Sequence, residues 1–600
     1  MFCPFPFLPK RSGGTATSLG IFPNTTIILK GRIMFRFREL TFLRPQIGAT
    51  GVNLAVAAFL VCFSNLPFWH EFNSRIPGHP GFHLLIGFSL CLVFNIFLSL
   101  VSFRPAHKPL LIIILITTAC VSYFMSSYGV VIDRHMITNV LATDVRESSE
   151  LMTWPLFRHV LLLGVLPSAV LLLTRVSFRP IRRELPVRVG VILGSCTLLV
   201  ALILTNSKEI VLFYRKNIEL RMYVNPTYPI FSLIKVLNRK KQGPLMVIAP
   251  DAMKPPVSQK TAVVLVVGET ARAREFSLDG YGRNTNPELG TRDVFNFGSV
   301  QSCGTDTETS VPCMFSHLGK SDFSRDKAKS YQNLLDIMQR VGVEVLWRDN
   351  NSGSKGVADR VKYEDLSGSK DNALCSSGEC FDEILLKDLG EVLDRNSGDM
   401  LIVLHQKGSH GPSYYKRSPK AFKKYLPECD QDNVQDCDRQ SIINAYDNTI
   451  VYTDHVLARL IDILKSKPYA TAMLYVSDHG ESLGENSIYL HGLPYLIAPE
   501  QQTHVPMVFW ASDKFLKEKN IDPAMLAKLR NSPFSHDNLF HSMLGLFRIK
   551  TGLYRPELDL FHSAKRTAPT TGFRSVERIP STAESGSKSL AAGKAGGHGM

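Results

Sequence analysis

The chain has 600 residues, of which 45% are hydrophobic and 20% charged, with a formal net charge of +15. That length exceeds what one hydrophobic core serves, so at least two domains are expected. The positive charge does not read as nucleic-acid binding, because many cations flank apolar runs and no basic platform interleaved with aromatics is present. Residues 1–46, with Lys30, Arg32, Arg36, Arg38 and Arg44, read as a cytoplasmic leader in which Met34 is an alternative start.

Hydrophobic runs follow at 47–69, 82–103, 110–132, 156–174 and 189–204. Each approaches the ~20 residues a helix needs to cross ~30 Å of hydrocarbon. A soluble helical domain is the alternative, but the run 110–116 (Leu-Leu-Ile-Ile-Ile-Leu-Ile) leaves no polar stripe. Arg104 and Lys108 join the second and third runs; Arg175, Arg179, Arg182, Arg183 and Arg188 join the fourth and fifth. Cations gather on the cytoplasmic side, which predicts a five-span domain over 47–206 in a bacterial inner membrane with all later residues outside.

The segment 207–256 reads as an interfacial helix over 209–224, with Ile210, Phe213, Tyr214 and Ile218 on one face, and a proline-rich linker over 243–256. Residues 257–562 alternate strand-like runs (261–267, 343–347, 401–404, 473–476, 505–510) with helical patterns, clearest over 444–467. Such alternation predicts an α/β/α domain with a mainly parallel sheet. The last stretch, 563–600, rich in Ser, Ala, Gly and Thr, is expected to be a disordered tail. Six cysteines of the outer domain fall into close pairs: Cys303 and Cys313, Cys375 and Cys380, Cys429 and Cys437. An even set in an exported domain reads as disulfides; of about fifteen connectivities, neighbour pairing is the simplest.

Four strands run straight into polar residues. They are followed by Gly268-Glu269-Thr270; by Arg348-Asp349-Asn350-Asn351 and then Lys355; by His405 and Gly408-Ser409-His410-Gly411; and by Asp478-His479, with His491 beyond. In a parallel sheet these ends share one edge, where open α/β sheets bind ligands. Glu269, His410, Asp478, His479 and His491 are therefore expected to converge, and carboxylate plus imidazole is a donor mixture that zinc accepts. A hydroxyl nucleophile is expected in 302–313, with Pro312 in the first turn of a helix. The plainer reading of that segment is a capping box between Thr305 and Glu308.

At this point the chain resembles the periplasmic phosphoethanolamine transferases that modify lipid A. These belong to the alkaline phosphatase/sulfatase-like superfamily and are related to the mobile colistin resistance enzymes. The resemblance spans about 37–561 and rests on residues 268–272, 303–313, 350–356, 408–412 and 477–481 with His491. It implies a zinc ion held by Glu269, Thr307, Asp478 and His479, with Thr307 as nucleophile and a second zinc admitted during turnover. Lys355, His410 and His491 match positions that bind substrate phosphate, transfer protons or hold additional zinc. The family also pairs its cysteines as neighbours.

Asn139, Thr143 and Glu147 are four apart, a spacing that places them on one helix face. By resemblance they bind the ethanolamine headgroup. The implied donor is phosphatidylethanolamine, the implied acceptor a lipid A phosphate, and the implied outcome polymyxin resistance from a monomeric enzyme. One departure stands out: Asp306 and Glu308 flank Thr307, and two carboxylates there are expected to slow attack unless they point away from the metal. Alternative readings are phosphoethanolamine or phosphoglycerol transfer to another envelope glycan, a sulfatase, or a non-catalytic zinc-binding membrane sensor. A sulfatase is disfavoured because neither Cys-x-Pro-x-Arg nor Ser-x-Pro-x-Arg occurs at Thr307.

Overall fold

A computed structural model describes residues 46–565, apart from 144, 239–242, 257–258, 377 and 396. The expected leader, with Met34, and the expected tail beyond 565 lie outside the described residues. Among the described residues, four helices are long and apolar enough to cross a membrane: Pro80–Val101, His107–Tyr128, Trp154–Leu173 and Ile181–Thr205. A fifth span is formed if Ala49–Ser64 and Leu66–Arg75, bent by 59°, are taken together.

The straight first span expected over 47–69 is therefore replaced by a bent pair. Pro67 opens the second half, where its missing N–H costs nothing. Asn65 fixes the corner. Its Nδ2 donates to the Leu60 and Asn225 carbonyls at 2.9 and 2.6 Å, and its Oδ1 accepts from Asn225 N at 2.9 Å. His107–Tyr128 is the central span, because 61% of its apolar window is buried against 6% for Ile181–Thr205.

The interfacial segment is shorter than expected. A helix over Ser207–Lys216 gives way to a 3-10 turn over Ile218–Tyr223, and a second apolar helix, Thr227–Leu237, follows Pro226. Nor is 243–256 a free linker. Met246 pairs with Tyr331 and Met253 with Lys550, and Ile248 and Ala249 are buried in the outer domain's core.

The outer domain carries a seven-stranded sheet: β1 (Thr261–Gly268), β2 (Phe295–Phe297), β3 (Glu344–Asp349), β4 (Lys362–Asp365), β5 (Met400–His405), β6 (Ala470–Ser477) and β7 (Met507–Ala511). Its order is β2-β7-β6-β1-β5-β3-β4. Strands β6, β1, β5, β3 and β4 run parallel; β7 is antiparallel to β6, and β2 to β7. All five expected strands are present. The short edge strands β2 and β4 add two that carry no apolar run of their own.

Because side chains alternate across a strand, the sheet buries two layers. Val264, Val266, Ile402, Leu404 and Tyr475 pack with Tyr446, Ile450, Leu457 and Leu460 of the helix Arg439–Lys465. Val263, Leu265, Val403, Leu474 and Val476 pack on the other side with Leu334, Ile337, Phe540 and Leu544. Each such buried side chain contributes about 1.5–3 kcal/mol. The first layer runs on without a break into Tyr123, Phe124 and Tyr128 at the end of the central span. The cysteines pair as neighbours, Cys303–Cys313, Cys375–Cys380 and Cys429–Cys437. Each closes a short loop and contributes roughly 2–3 kcal/mol on the chain-entropy estimate.

Register then aligns the carboxyl ends of the central strands. Ser477 lies beside Gly268, Val267 beside His405, and His405 beside Asp349. The residues that follow these positions form the site.

Candidate metal centre and catalytic cleft

Glu269, Asp478 and His479 are fully buried, and one ligand atom from each lies within 4.8 Å of the others. Thr307 completes the group. Its Oγ1 is 3.1 Å from both carboxylate oxygens of Glu269 and 3.3 Å from His479 Nε2. His479 Nε2 is also 3.3 Å from Asp478 Oδ2, a buried oxygen that accepts no hydrogen bond. His479 Nδ1 faces the Gly480 carbonyl at 2.9 Å, so it carries the proton and leaves Nε2 as the ligand nitrogen.

The cluster draws positive charge to itself. Burial pushes the Asp478 carboxyl up, with the Glu269 charge adding to it, to about 7. Burial works against charge on Glu269 as well, yet the His479 hydrogen bond and charge hold it well below the usual carboxylate range. Burial lowers His479, but Asp478 and Glu269 outweigh it and raise the imidazole to about 10. Two carboxylates, an imidazole with its ring oriented, a hydroxyl and one buried oxygen without a donor are a donor set that fits a zinc ion.

Backbone strain holds the set in place. Thr270 adopts φ +55°, while its N–H reaches Asp478 Oδ1 at 3.2 Å and its carbonyl accepts from Tyr446 Oη at 2.6 Å. A non-glycine residue in this region is uncommon and costs free energy that the surrounding bonds must offset. Gly408 crosses beside it at φ +57°, where an added Cβ would stand 2.5 Å from the Glu269 carbonyl. Only glycine fits there.

Thr307 is the first residue of the helix Thr307–Met314, and Asp306 is its cap, with a side-chain oxygen 2.9 Å from Thr309 N. This corrects two expectations. Thr305 is not a capping residue, because its hydroxyl donates to the Leu493 carbonyl at 2.6 Å. Pro312 lies inside the helix and not in its first turn. A proline there cannot donate to the carbonyl of Glu308, and Arg325 Nε takes that place at 2.9 Å. Arg325, itself buried, also pairs with the Glu308 carboxylate at 3.0 Å and lies 4.0 Å from Asp306. Both carboxylates beside Thr307 are thus held by one guanidinium.

Asn139, Thr143, Lys355, His410 and His491 line one cleft with Thr307. The His491 ring is 4.4 Å from that of His479 and 5.3 Å from that of His410. His491 Nδ1 is anchored by Glu481 Oε2 at 2.9 Å. Lys355 Nζ donates to the Ser352 carbonyl and hydroxyl at 3.0 and 2.7 Å. Asn139 and Thr143 do not share a continuous helix with Glu147. The helix Arg134–Ala142 ends at Thr143, which is extended, and a new one begins at Val145. The Glu147 side chain lies outside the described residues. At the end of that second helix, buried Glu150 meets Arg417 at 2.8 Å, and Arg417 Nε donates to the His410 carbonyl at 2.9 Å.

Several supporting residues carry no signal strong enough to single them out in the sequence. Asn351 donates to Glu269 Oε2 at 2.7 Å and to the Gln406 carbonyl at 2.8 Å. Behind it His405 Nδ1 and Asp349 Oδ2 are 2.9 Å apart. Asn351 and Glu481 sit in polar strings that follow strands, which is the signal available for them. Arg325 has none.

The fold and cluster define a sulfatase-like domain on a membrane anchor. A family model for sulfatases matches 261–549, and one for the phosphoethanolamine transferases EptA/EptB matches 90–241. Phosphoethanolamine transferase EptA of Escherichia coli K12 is 37% identical over 541 residues, covering 88% of this chain and 98% of the relative. Phosphatidylethanolamine transferase Mcr-1 of Escherichia coli is 40% identical over 518 residues, covering 82% and 94%. The solved integral membrane lipooligosaccharide phosphoethanolamine transferase A of Neisseria meningitidis superposes with a TM-score of 0.84 at 34% identity, covering 87% of this chain and 100% of that one. The chain belongs to the phosphoethanolamine transferase family. It is a multi-pass membrane enzyme with a periplasmic soluble domain, as expected from the positions of its cations.

Proposed function

We propose that this enzyme moves phosphoethanolamine from phosphatidylethanolamine to a phosphate of lipid A through a phosphoethanolamine-threonine intermediate. The observation that carries the reading is the placement of Thr307 Oγ1 3.1–3.3 Å from Glu269 and His479 at the mouth of a cleft. Glu269, Thr307, Asp478 and His479 are the residues that would hold zinc. A zinc ion there supplies Lewis acidity, making the hydroxyl easier to deprotonate and offsetting charge on phosphate.

In the first step Thr307 Oγ1 attacks the donor phosphorus. A new P–O bond forms, the bond to glycerol breaks, and diacylglycerol leaves with a proton. His491 suits that transfer: Glu481 fixes Nδ1, so Nε2 is the atom that gives and takes the proton. His410 is its neighbour in the cleft and shares the role. In the second step an oxygen of the acceptor phosphate attacks the same phosphorus, and Thr307 Oγ1 leaves. Lys355 adds positive charge at the cleft. Asn139 and Thr143 line the cleft with Thr307, which suits them to the donor headgroup, and Glu147 is the carboxylate proposed for its ammonium.

Adding an amine to lipid A lowers its negative charge, which weakens its attraction for cationic peptides such as polymyxins. The test incubates full-length protein with phosphatidylethanolamine and phosphatidylglycerol, each labelled in the headgroup. Ethanolamine label on the peptide containing Thr307, followed by its appearance on lipid A, supports the reading; label from phosphatidylglycerol, or on another peptide, overturns it.

A further inference from the structure

His410 and His491 belong to different loops, and a buried carboxylate behind them ties the two together. The loop after His410 runs through Gly411 and Pro412 to Tyr414, the first residue of a 3-10 turn over Tyr414–Lys416. His491 follows Leu490, the last residue of a short hairpin in which Ser482–Leu483 pairs with Tyr489–Leu490. Glu481, fully buried, stands between the loops. Its Oε1 accepts from Tyr414 Oη at 2.9 Å, and its Oε2 faces His491 Nδ1 at the same distance. A phenol donating to a carboxylate makes a charge-assisted bond, stronger than one between neutral groups.

Each end of this bridge is braced. The Glu481 carbonyl accepts from Arg272 Nη1 at 3.2 Å. The Tyr414 ring meets that of Tyr446 edge-on, with centroids 5.5 Å apart. The loops also touch directly: a Cβ added at Gly411 would stand 2.7 Å from Tyr414 Oη and 2.8 Å from Leu490 Cδ2. The His491 loop needs such bracing, because Leu490 adopts φ +62°, an uncommon conformation for a bulky residue. Without the phenol, Glu481 Oε1 would be a buried acceptor stripped of its donor. Such an oxygen is costly, so the carboxylate would turn and loosen its hold on His491.

We infer that Tyr414 is a positioning residue for proton transfer, acting through Glu481 to keep His491 Nε2 aimed at the leaving oxygen of the donor. Tyr414 is 2% exposed and so reaches no substrate itself. The inference rests on the proposed transfer. As the bond from Thr307 Oγ1 to phosphorus forms, the bond from phosphorus to the glycerol oxygen breaks, and its electron pair stays on that oxygen. The Nε2 proton of His491 passes to it, and the neutral ring keeps its Nδ1 proton on Glu481.

The test uses full-length protein in detergent and two labelled donors. Phosphatidylethanolamine has a glycerol oxygen that must be protonated to leave; p-nitrophenyl phosphoethanolamine releases a nitrophenolate that needs no proton. The rate at which label reaches the Thr307 peptide is measured for each. Tyr414→Phe removes the hydroxyl and keeps the ring against Tyr446. It should slow labelling from phosphatidylethanolamine at least about tenfold, part of the ~10²–10⁴ that general acid catalysis supplies. Labelling from the nitrophenyl donor, and KM for phosphatidylethanolamine, should stay within about twofold of the parent. In a His491→Ala background the same substitution should change the rate less than about twofold, because the group it acts through is gone. Equal slowing with both donors, or a further tenfold loss beside His491→Ala, would overturn the inference. A parent that takes label at Thr307 from neither donor would overturn the transfer reading, and this inference with it.

Discussion

Arg325 stands 3.0 Å from Glu308, beneath the helix that starts at Thr307, and the same guanidinium donates to the Glu308 carbonyl left open by Pro312. One side chain thus repairs the helix and neutralises the carboxylate next to Thr307. Removing it leaves a half-buried negative charge beside an approaching phosphate. Arg325→Met should lower transfer by at least about tenfold, equivalent to ~1.4 kcal/mol of barrier, and should lower the melting temperature as well. The double variant Arg325→Met with Glu308→Gln should recover part of the rate, because the stranded charge is gone. A double variant no faster than the single one would show that charge is not the cause.

Thr307→Ala should form no covalent phosphoethanolamine adduct on its peptide, read by mass spectrometry after incubation with excess phosphatidylethanolamine and an acid quench. Thr307→Ser keeps a hydroxyl on the same β-carbon, primary where threonine's is secondary, and should still give the adduct. Finding the adduct on the Ala variant at that peptide would remove Thr307 from the mechanism.

Asn351 is the clamp on Glu269, and partners of this kind typically change metal affinity ~10–100-fold when removed. Asn351→Ala should therefore need that much more zinc for half-maximal activity, while retaining the parent fold by circular dichroism. Chelation should abolish transfer by the parent, and added zinc should restore it. Activity that persists through exhaustive chelation would separate the cluster from metal chemistry.

Asp454 offers a pH test away from the cleft. Burial chiefly, with Glu288 nearby, raises its carboxyl from the ordinary 3.8 to about 7, although it accepts from the backbone of Glu288 and Leu289. The folded state thus holds this proton more tightly than the unfolded chain, so its contribution to stability is fullest below pH ~4 and is lost as pH rises through about 7. Denaturation between pH 4.5 and 8 should show that loss in the parent and a flatter dependence in Asp454→Asn. Identical slopes would contradict the assignment.

Much of this molecule is legible in its sequence, for identifiable reasons. The central strands announce themselves because both faces are buried, which forces runs such as 262–267 to be apolar throughout. Once they are parallel, register alone brings Glu269, Asp478 and His479 to one edge. The two shortest strands escaped because three or four residues at a sheet edge need no apolar run. The bend after Ser64 escaped because its cause is Asn65 meeting Asn225, a contact across 160 positions. The burial of Arg325 escaped for the same reason, and the cap falls to Asp306 because the distant Leu493 carbonyl takes the Thr305 hydroxyl. The break at Thr143 defeats a reading by spacing, since spacing of four presumes the helix continues.

Glu150 comes from the segment between two membrane helices, Arg417 from the soluble domain, and the pair is almost wholly hidden from water. Prising the two halves apart would strand the Glu150 charge, while Arg417 would keep Glu379 at 2.7 Å; breaking a buried pair in this way costs ~3–5 kcal/mol. The two halves are thus latched close to the cleft, and whatever loosens that latch also tugs on the backbone of His410.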